Sequence, residues 1–313
     1  MTKVAVASRS FSKHPVLRAE LLARYPHTTF NDSGASLTGE ELVAFLDGHD
    51  KAITALETIS DALLSRLPRL KVIGKYGVGV DMIDLEAMAK HGVALGWRGG
   101  VNRRSVSELV ISAAIALYRQ IPKGFDDARA GQWKQLMGRQ ISDKTVGIIG
   151  CGHIGKDLTP LLKAFGCRVI AHDIRDFPEF YAAHGVTPMG LEQLLAEADI
   201  VTLHLPLDES TRNFLSAERL ALMKPGALLL NAARGGLVDE AAVAEMLLDG
   251  RLGGAFFDVL AVEPPVDLDF LSLPNMLVTP HMGGSAEEAV LAMGRAAIEG
   301  LDNAQIPQPG AKA

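Results

Sequence analysis

Short apolar runs alternate along the chain with longer stretches in which apolar residues return at helical spacing. Strand-like runs lie at Val4–Ser8, Thr28–Asn31, Ala52–Ala55, Lys71–Gly74 and Val93–Gly96. Amphipathic stretches separate them: Pro15–Arg24, Gly39–Leu46 and Leu85–His91, the last closed by Gly92, which can take the left-handed cap. These predict a small doubly wound unit of about 100 residues. A long amphipathic segment, Ser105–Arg119, follows and is expected to end at Ile121-Pro122. A second series of strands then runs through Thr145–Ile149, Arg168–His172, Ile200–Leu203, Ala227–Asn231, Gly254–Phe257 and Met276–Val278. The last helical segment, Ala286–Leu301, lies beyond this series and is free to return to the first unit. The alternation predicts an α/β protein of two doubly wound parallel-sheet units with a cleft between them.

Composition narrows the class without choosing within it. The 313 residues suit two domains, and 48% hydrophobic against 22% charged residues is an ordinary mix that buries a sizeable core. Only 5% is aromatic, so that core must come from Leu, Val, Ile and Ala. A net charge of −6 with no basic run argues against nucleic acid and anionic membranes as partners. Cys151 and Cys167 show neither metal-ligand spacing nor a disulfide framework, and no metal site is expected. The N-terminus lacks the apolar stretch of a signal peptide, and no run approaches the roughly 20 apolar residues of a membrane helix. A cytoplasmic protein is expected.

The densest signal is Val146-Gly147-Ile148-Ile149-Gly150-Cys151-Gly152-His153-Ile154-Gly155, an apolar strand running into Gly-x-Gly-x-x-Gly, with the helical stretch Lys156–Phe165 behind it. In such a loop Gly150 makes the tight turn, Gly152 lets the backbone approach a pyrophosphate, and Gly155 lets the helix pack close to the strand. Free amides at the helix start hold the phosphates. A second strand ends at Asp173, 18 positions after Gly155, where a carboxylate accepts the ribose hydroxyls and selects NAD over NADP. This half of the chain therefore reads as a Rossmann, NAD-binding domain.

Three polar clusters sit at predicted strand ends in the same half: Asn231–Gly236, Asp258–Pro265 and Thr279–Gly284. The C-terminal strand ends of open parallel sheets face the ligand crevice. His281, Glu263 and Arg234 together suit hydride transfer at a hydroxy acid. A histidine exchanges the hydroxyl proton near neutral pH. A carboxylate beside it orients the ring and favours the imidazolium. An arginine grips a substrate carboxylate in two-pronged fashion.

These clusters, the glycine loop and Lys75-Tyr76-Gly77-Val78-Gly79-Val80-Asp81 resemble the D-2-hydroxyacid dehydrogenase family over nearly the whole chain. Arg119-Gln120-Ile121-Pro122, Met137-Gly138 and Ala233–Glu240 are most similar to its phosphoglycerate dehydrogenase branch. The resemblance implies catalysis by Arg234, Glu263 and His281, and substrate contacts from Arg234 and the backbone amides of Val78 and Gly79. It implies cofactor contacts at Gly150, Gly152, His153, Ile154, Gly155, Asp173, His204, Pro206, Ala232, Asp258 and Gly283. The implied fold is a flavodoxin-like substrate domain of residues 1–99 and 287–313 around an NAD-binding domain of residues 100–286. A homodimer through the NAD domain is also implied, with Ser105–Arg119 as the candidate interface.

The chain also departs from the family pattern. Met82 stands where asparagine is usual, and Trp97-Arg98-Gly99 replaces the usual Asn-Thr-Pro. The branch carries Arg-Ser after the third strand, where this chain has Thr54-Ala55; Arg98 is read as the residue that replaces the lost arginine, or else as a hinge residue salt-bridged across the cleft. The end at Ala313 predicts no appended regulatory domain. The expected activity is NAD-dependent interconversion of a D-2-hydroxy acid and its 2-keto acid, with 3-phosphoglycerate and 3-phosphohydroxypyruvate as one pair. Reduction of glyoxylate, hydroxypyruvate or another 2-keto acid is an alternative, and so is an NAD(H)-sensing, corepressor-like scaffold.

Overall fold

A computed structural model describes residues 1–266 and 268–308 of the chain. It divides into two units: unit 1 comprises residues 1–102 and the stretch from 285 onward, and unit 2 comprises residues 103–284.

Unit 1 is a five-stranded, wholly parallel sheet in the order β2-β1-β3-β4-β5. Its strands are β1 (Val4–Val6), β2 (Thr28–Phe30), β3 (Lys51–Thr54), β4 (Val72–Lys75) and β5 (Ala94–Gly96). The flavodoxin-like order follows from crossover helices α1 (Arg9–Lys13), α2 (Pro15–Arg24), α3 (Gly39–Leu46), α4 (Asp61–Leu64) and α5 (Leu85–His91). Alternation of side chains along β1 shows why both faces are apolar. Val4 and Val6 join Phe11, Leu17 and Leu21 in one core, while Ala5 and Ala7 join Leu42, Leu46 and Met88 in the other. The chain's last helix, Glu287–Asn303, returns to this unit and places Ala297, Ile298 and Leu301 in the first of those cores. Each fully buried Leu or Phe contributes roughly 1.5–3 kcal/mol over its exposed state.

Unit 2 is a seven-stranded parallel sheet in the order β12-β11-β10-β9-β6-β7-β8. The strands are β6 (Thr145–Ile149), β7 (Arg168–His172), β8 (Thr187–Pro188), β9 (Ile200–Leu203), β10 (Ala227–Asn231), β11 (Leu252–Phe257) and β12 (Met276–Val278). The chain winds outward one way from β6 to β8 and the other way from β9 to β12, so the strand order reverses between β6 and β9. In such sheets ligands bind at that switch point. Helices α6 (Arg103–Tyr118) and α8 (His153–Ala164) pack against Val146 and Ile148 on one face. On the other, α10 (Leu191–Glu197), α11 (Ala217–Leu220) and α12 (Glu240–Leu248) cover Ile149, Val201 and Leu203. The remaining helices are α7 (Ile121–Arg129) and α9 (Pro178–His184).

Two local expectations change. The helix after the glycine loop starts at His153 rather than Lys156, because Gly152 serves as its N-cap. Pro122 opens a helix instead of closing one: it occupies the first turn of α7, where the missing N–H costs nothing. Helix α6 turns Val106, Val110, Ala113, Ala114 and Tyr118 into the core of its unit, and Ile121, Phe125, Trp133 and Met137 on the segment after it are exposed. Among the described residues no helix is long and apolar enough to cross a membrane.

Candidate active site

In unit 2 the loop between β6 and α8 has the geometry of a phosphate cradle. Gly150 sits at φ 96°, and a Cβ there would lie 2.5 Å from the carbonyl oxygen of His204, so only glycine fits. A Cβ on Gly155 would meet the Gly150 carbonyl oxygen at 2.5 Å, which brings helix and strand close. Gly152 is the opposite case. A Cβ there would meet nothing within 4 Å, and no side chain caps the first amides of α8. His153 and Ile154 form that first turn.

Asp173, one residue past β7, is tied to this loop. One carboxylate oxygen accepts the Cys151 N–H at 2.7 Å and the other the Arg175 N–H at 2.8 Å. Each oxygen keeps a lone pair for a further donor such as a ribose hydroxyl. Across the switch point, His204 follows β9. Burial pushes its pKa down to about 3, so the ring is neutral. Nε2 meets the Thr202 hydroxyl at 3.1 Å, and Nδ1 is enclosed with no partner among the described residues. Pro206 lies exposed two residues on. An open cradle, uncapped helix amides, a fixed carboxylate and an orphaned ring nitrogen together fit a dinucleotide.

The ends of β10, β11 and β12 carry the three polar clusters and are stitched together. Asn231 closes its own turn: its amide donates to Arg234 O at 2.9 Å, and its carbonyl accepts from Ala233 N at 3.1 Å. That turn buries Ala232 and presents Arg234, whose guanidinium donates to Ala233 O at 2.6 Å. The next residue, Gly235, packs against the Leu260 carbonyl, which sets the Arg234 turn beside the loop that carries Glu263. The Asp258 carboxylate is buried and fully engaged. One oxygen accepts from the Thr279 hydroxyl at 2.6 Å and from Met282 N at 2.8 Å; the other accepts from Gly283 N at 2.7 Å.

These bonds hold His281 in the left-handed region, at φ 52°, with its N–H shared between Asp258 O and Thr279 O. The ring's Nδ1 lies 2.8 Å from Glu263 Oε2. Glu263 Oε1 accepts the Leu260 N–H at 3.0 Å, and the neighbouring Ala261 N–H donates to Glu240 at 2.7 Å. Burial, reinforced by the charge of Glu263, raises the Glu240 carboxyl above its usual range. The structure thus brings His281, Glu263 and Asp258 into one network, with Arg234 on the adjoining turn. Among the described residues no group of three His, Cys, Asp or Glu side chains is arranged to hold a metal ion.

Residues 111–283 match the family model described as D-isomer specific 2-hydroxyacid dehydrogenase, NAD binding domain. The chain belongs to that family. Its unit 2 is the family's NAD-binding domain. It is 38% identical over 267 residues to D-3-phosphoglycerate dehydrogenase of Methanocaldococcus jannaschii, covering 84% of this chain and 51% of that one. The chain spans about half the length of the curated relatives it matches. Among solved structures, the pyruvate reductase of Chlamydomonas reinhardtii is 30% identical with a TM-score of 0.80, covering 95% of both chains. A glyoxylate reductase from Paecilomyes thermophila is 26% identical with a TM-score of 0.84, covering 95% of this chain and 94% of that one.

In unit 1 the loop from Lys75 to Asp81 follows β4. Val78 and Gly79 are half-exposed there, and Trp97 Nε1 donates to the Val78 carbonyl at 2.9 Å. Sequence reasoning missed this tether, and also the Thr279 and Glu240 braces, because no local spacing announces contacts between distant loops. The Arg98 guanidinium pairs with Glu299 on the last helix of its own unit, at 2.9 Å. Thr54 ends β3 fully buried, its hydroxyl without a partner among the described residues.

Proposed function

We propose that the chain is an NAD-dependent oxidoreductase that interconverts a D-2-hydroxy acid and its 2-keto acid. The observation that supports this most is His281, with Nδ1 on Glu263 at 2.8 Å and Nε2 unpartnered among the described residues. Oxidation of a 2-hydroxy acid removes a proton from the hydroxyl and a hydride from C2. NAD, when bound, would supply the hydride acceptor. Nε2 of His281 takes the hydroxyl proton while Glu263 keeps Nδ1–H and balances the charge that forms. In reduction the same nitrogen returns the proton to the keto oxygen. Arg234 grips the substrate carboxylate and polarises the oxygen on C2. The Val78 and Gly79 amides bind the carboxylate as donors. Gly150, Gly152 and Gly155 cradle the pyrophosphate, with His153, Ile154, His204, Pro206, Ala232 and Gly283 around the nucleotide, and Asp173 accepts the ribose hydroxyls. Asp258 acts chiefly by holding the His281 loop.

The substrate pair we favour is 3-phosphoglycerate and 3-phosphohydroxypyruvate, on the likeness to relatives named for that activity. Glyoxylate or another small keto acid is the second reading; it gains from Thr54, which offers no cation where the branch has arginine. A turnover screen of phosphorylated and unphosphorylated keto acids with NADH and NADPH separates them. We expect turnover with NADH, much weaker binding of NADPH, and a preference for the phosphorylated acid. Equal affinity for both cofactors would remove Asp173 from its role, and no turnover of any 2-keto acid would remove the reaction.

A homodimer through unit 2 is supported by one segment that exposes Ile121, Phe125, Trp133 and Met137, the last two 93% accessible. Exposed apolar side chains grouped along one segment suit an interface. Sedimentation should give twice the chain mass, and Trp133→Glu should halve it; a monomeric wild type would refute the assignment.

A further inference from the structure

Unit 1 holds a pocket of about 470 Å³ at the C-terminal ends of β1 and β3, with Ser8, Arg9, Lys13, Ser36, Thr38 and Leu56 in its walls. Pockets of this size accept small metabolites. Arg9 differs from every other arginine of the unit. Arg18, Arg24, Arg66, Arg69, Arg98 and Arg295 each hold a carboxylate. Arg9 holds none among the described residues, and neither does Lys13 beside it. Both side chains are exposed at the pocket. The one carboxylate in the lining, Glu57, is 9% exposed and accepts the Ala55 N–H, so it is turned into its own loop. Hydroxyls complete a wall rich in donors.

The pocket adjoins the loop that carries Val78 and Gly79. Tyr76 N donates to Thr54 O at 2.8 Å, and Lys75 Nζ donates to Ala55 O. The Tyr76 ring stands edge-on to Phe11 at 5.5 Å, and its hydroxyl meets Ser10. The turn after β1, the end of β3 and the Lys75–Asp81 loop are therefore one packed assembly within unit 1.

We infer that this pocket receives the end of the substrate remote from C2, and that Arg9, aided by Lys13, binds an anionic group there. The group is a phosphate monoester or a second carboxylate on a 2-hydroxy acid. This rests on the reaction proposed above and goes beyond it, because it moves recognition of the tail from the turn after β3 to the turn after β1. A guanidinium grips either group with two parallel hydrogen bonds, and a lysine adds a point charge. An uncharged tail gains neither.

The test compares three 2-keto acids of matched length, with a phosphate, a carboxylate or a hydroxyl at the far end, reduced with NADH by the full chain. The readout is kcat/KM for each anionic acid divided by that for the hydroxyl-tailed acid. Arg9→Ala should lower this ratio at least tenfold, mainly through KM, and Arg9→Lys should recover part of it. Arg66→Ala, an exposed and paired arginine outside the pocket, should leave the ratio alone. The anionic arm that carries the ratio identifies the tail. A wild type without preference for either anion, or a ratio that Arg9→Ala does not change, overturns the inference. Arg9→Gln serves should the alanine variant melt early. If the wild type reduces none of the three, the reaction has failed separately, and calorimetry with inorganic phosphate judges the pocket. Binding that Arg9→Ala weakens tenfold keeps it as an anion site; no binding by the wild type overturns it.

Discussion

At the ends of β10, β11 and β12 the carboxylates of Asp258 and Glu263 have both oxygens engaged by neighbouring loops, and Asn231 closes its own turn. At the ends of β1 and β3 in the other sheet, Arg9 and Lys13 line a pocket without a carboxylate partner among the described residues. In the loop with Val78 and Gly79, the Val78 carbonyl accepts from the Trp97 indole N–H. In the reaction and the tail recognition proposed above, the two edges have different tasks. A proton-transfer group must be held to within fractions of an ångström, and a closed network of charged hydrogen bonds provides that rigidity. A group that reads the tail of a substrate must be free to exchange water for ligand. Chemistry is then fixed in unit 2, and selectivity can vary in unit 1 without disturbing it.

The sharpest way to break this contrast is His281→Ala. A general acid–base group contributes about 10²–10⁴-fold in rate. Turnover should fall by that much with every keto acid, whatever its tail, while NADH affinity stays near the wild-type value. Steady-state kinetics and a fluorescence titration read the two quantities. Wild-type turnover would remove His281 from the reaction. A loss confined to one class of tail would mean that recognition and chemistry are not divided between the two edges.

The division also explains what could be read from the chain alone. Strands buried on both faces, such as Ile200–Leu203 and Ala227–Asn231, announce themselves as unbroken apolar runs, and their bounds emerge as expected. The glycine loop is legible because each glycine answers a constraint within a few residues of itself. β8 (Thr187–Pro188) is not, because two exposed residues with a proline at a sheet edge carry no apolar signal. The pairing of His281 with Glu263 could be inferred from residue types. The Asp258 clamp could not, since a carboxylate read as a cofactor contact turns out to accept three donors from the loop around His281. Arg9 escaped for a related reason. The departure at Thr54 pointed along the chain to Arg98, whereas Arg9, which shares a pocket wall with Ala55 and Leu56, comes from a turn some 45 residues earlier.

Glu263→Gln is a smaller perturbation of the unit 2 edge, and it sharpens the contrast by changing charge with little change of shape. In the wild type, Oε1 accepts the Leu260 N–H at 3.0 Å and Oε2 faces His281 Nδ1 at 2.8 Å. A carboxylate accepts at both oxygens, whereas an amide has one acceptor and one donor. If the amide oxygen stays on Leu260, the NH2 faces Nδ1. The neutral ring must then carry its proton on Nε2, and the base disappears from the substrate side. If the oxygen turns to Nδ1, two donors meet at Leu260. Either arrangement should lower kcat/KM, by about tenfold and less than His281→Ala does. Oxidation and reduction should fall together at a given pH, because both cross one transition state. Steady-state kcat/KM with NADH in one direction and NAD in the other decides the matter. Wild-type values in both directions would separate Glu263 from the proton and leave it as a brace for Leu260, visible only in thermal stability.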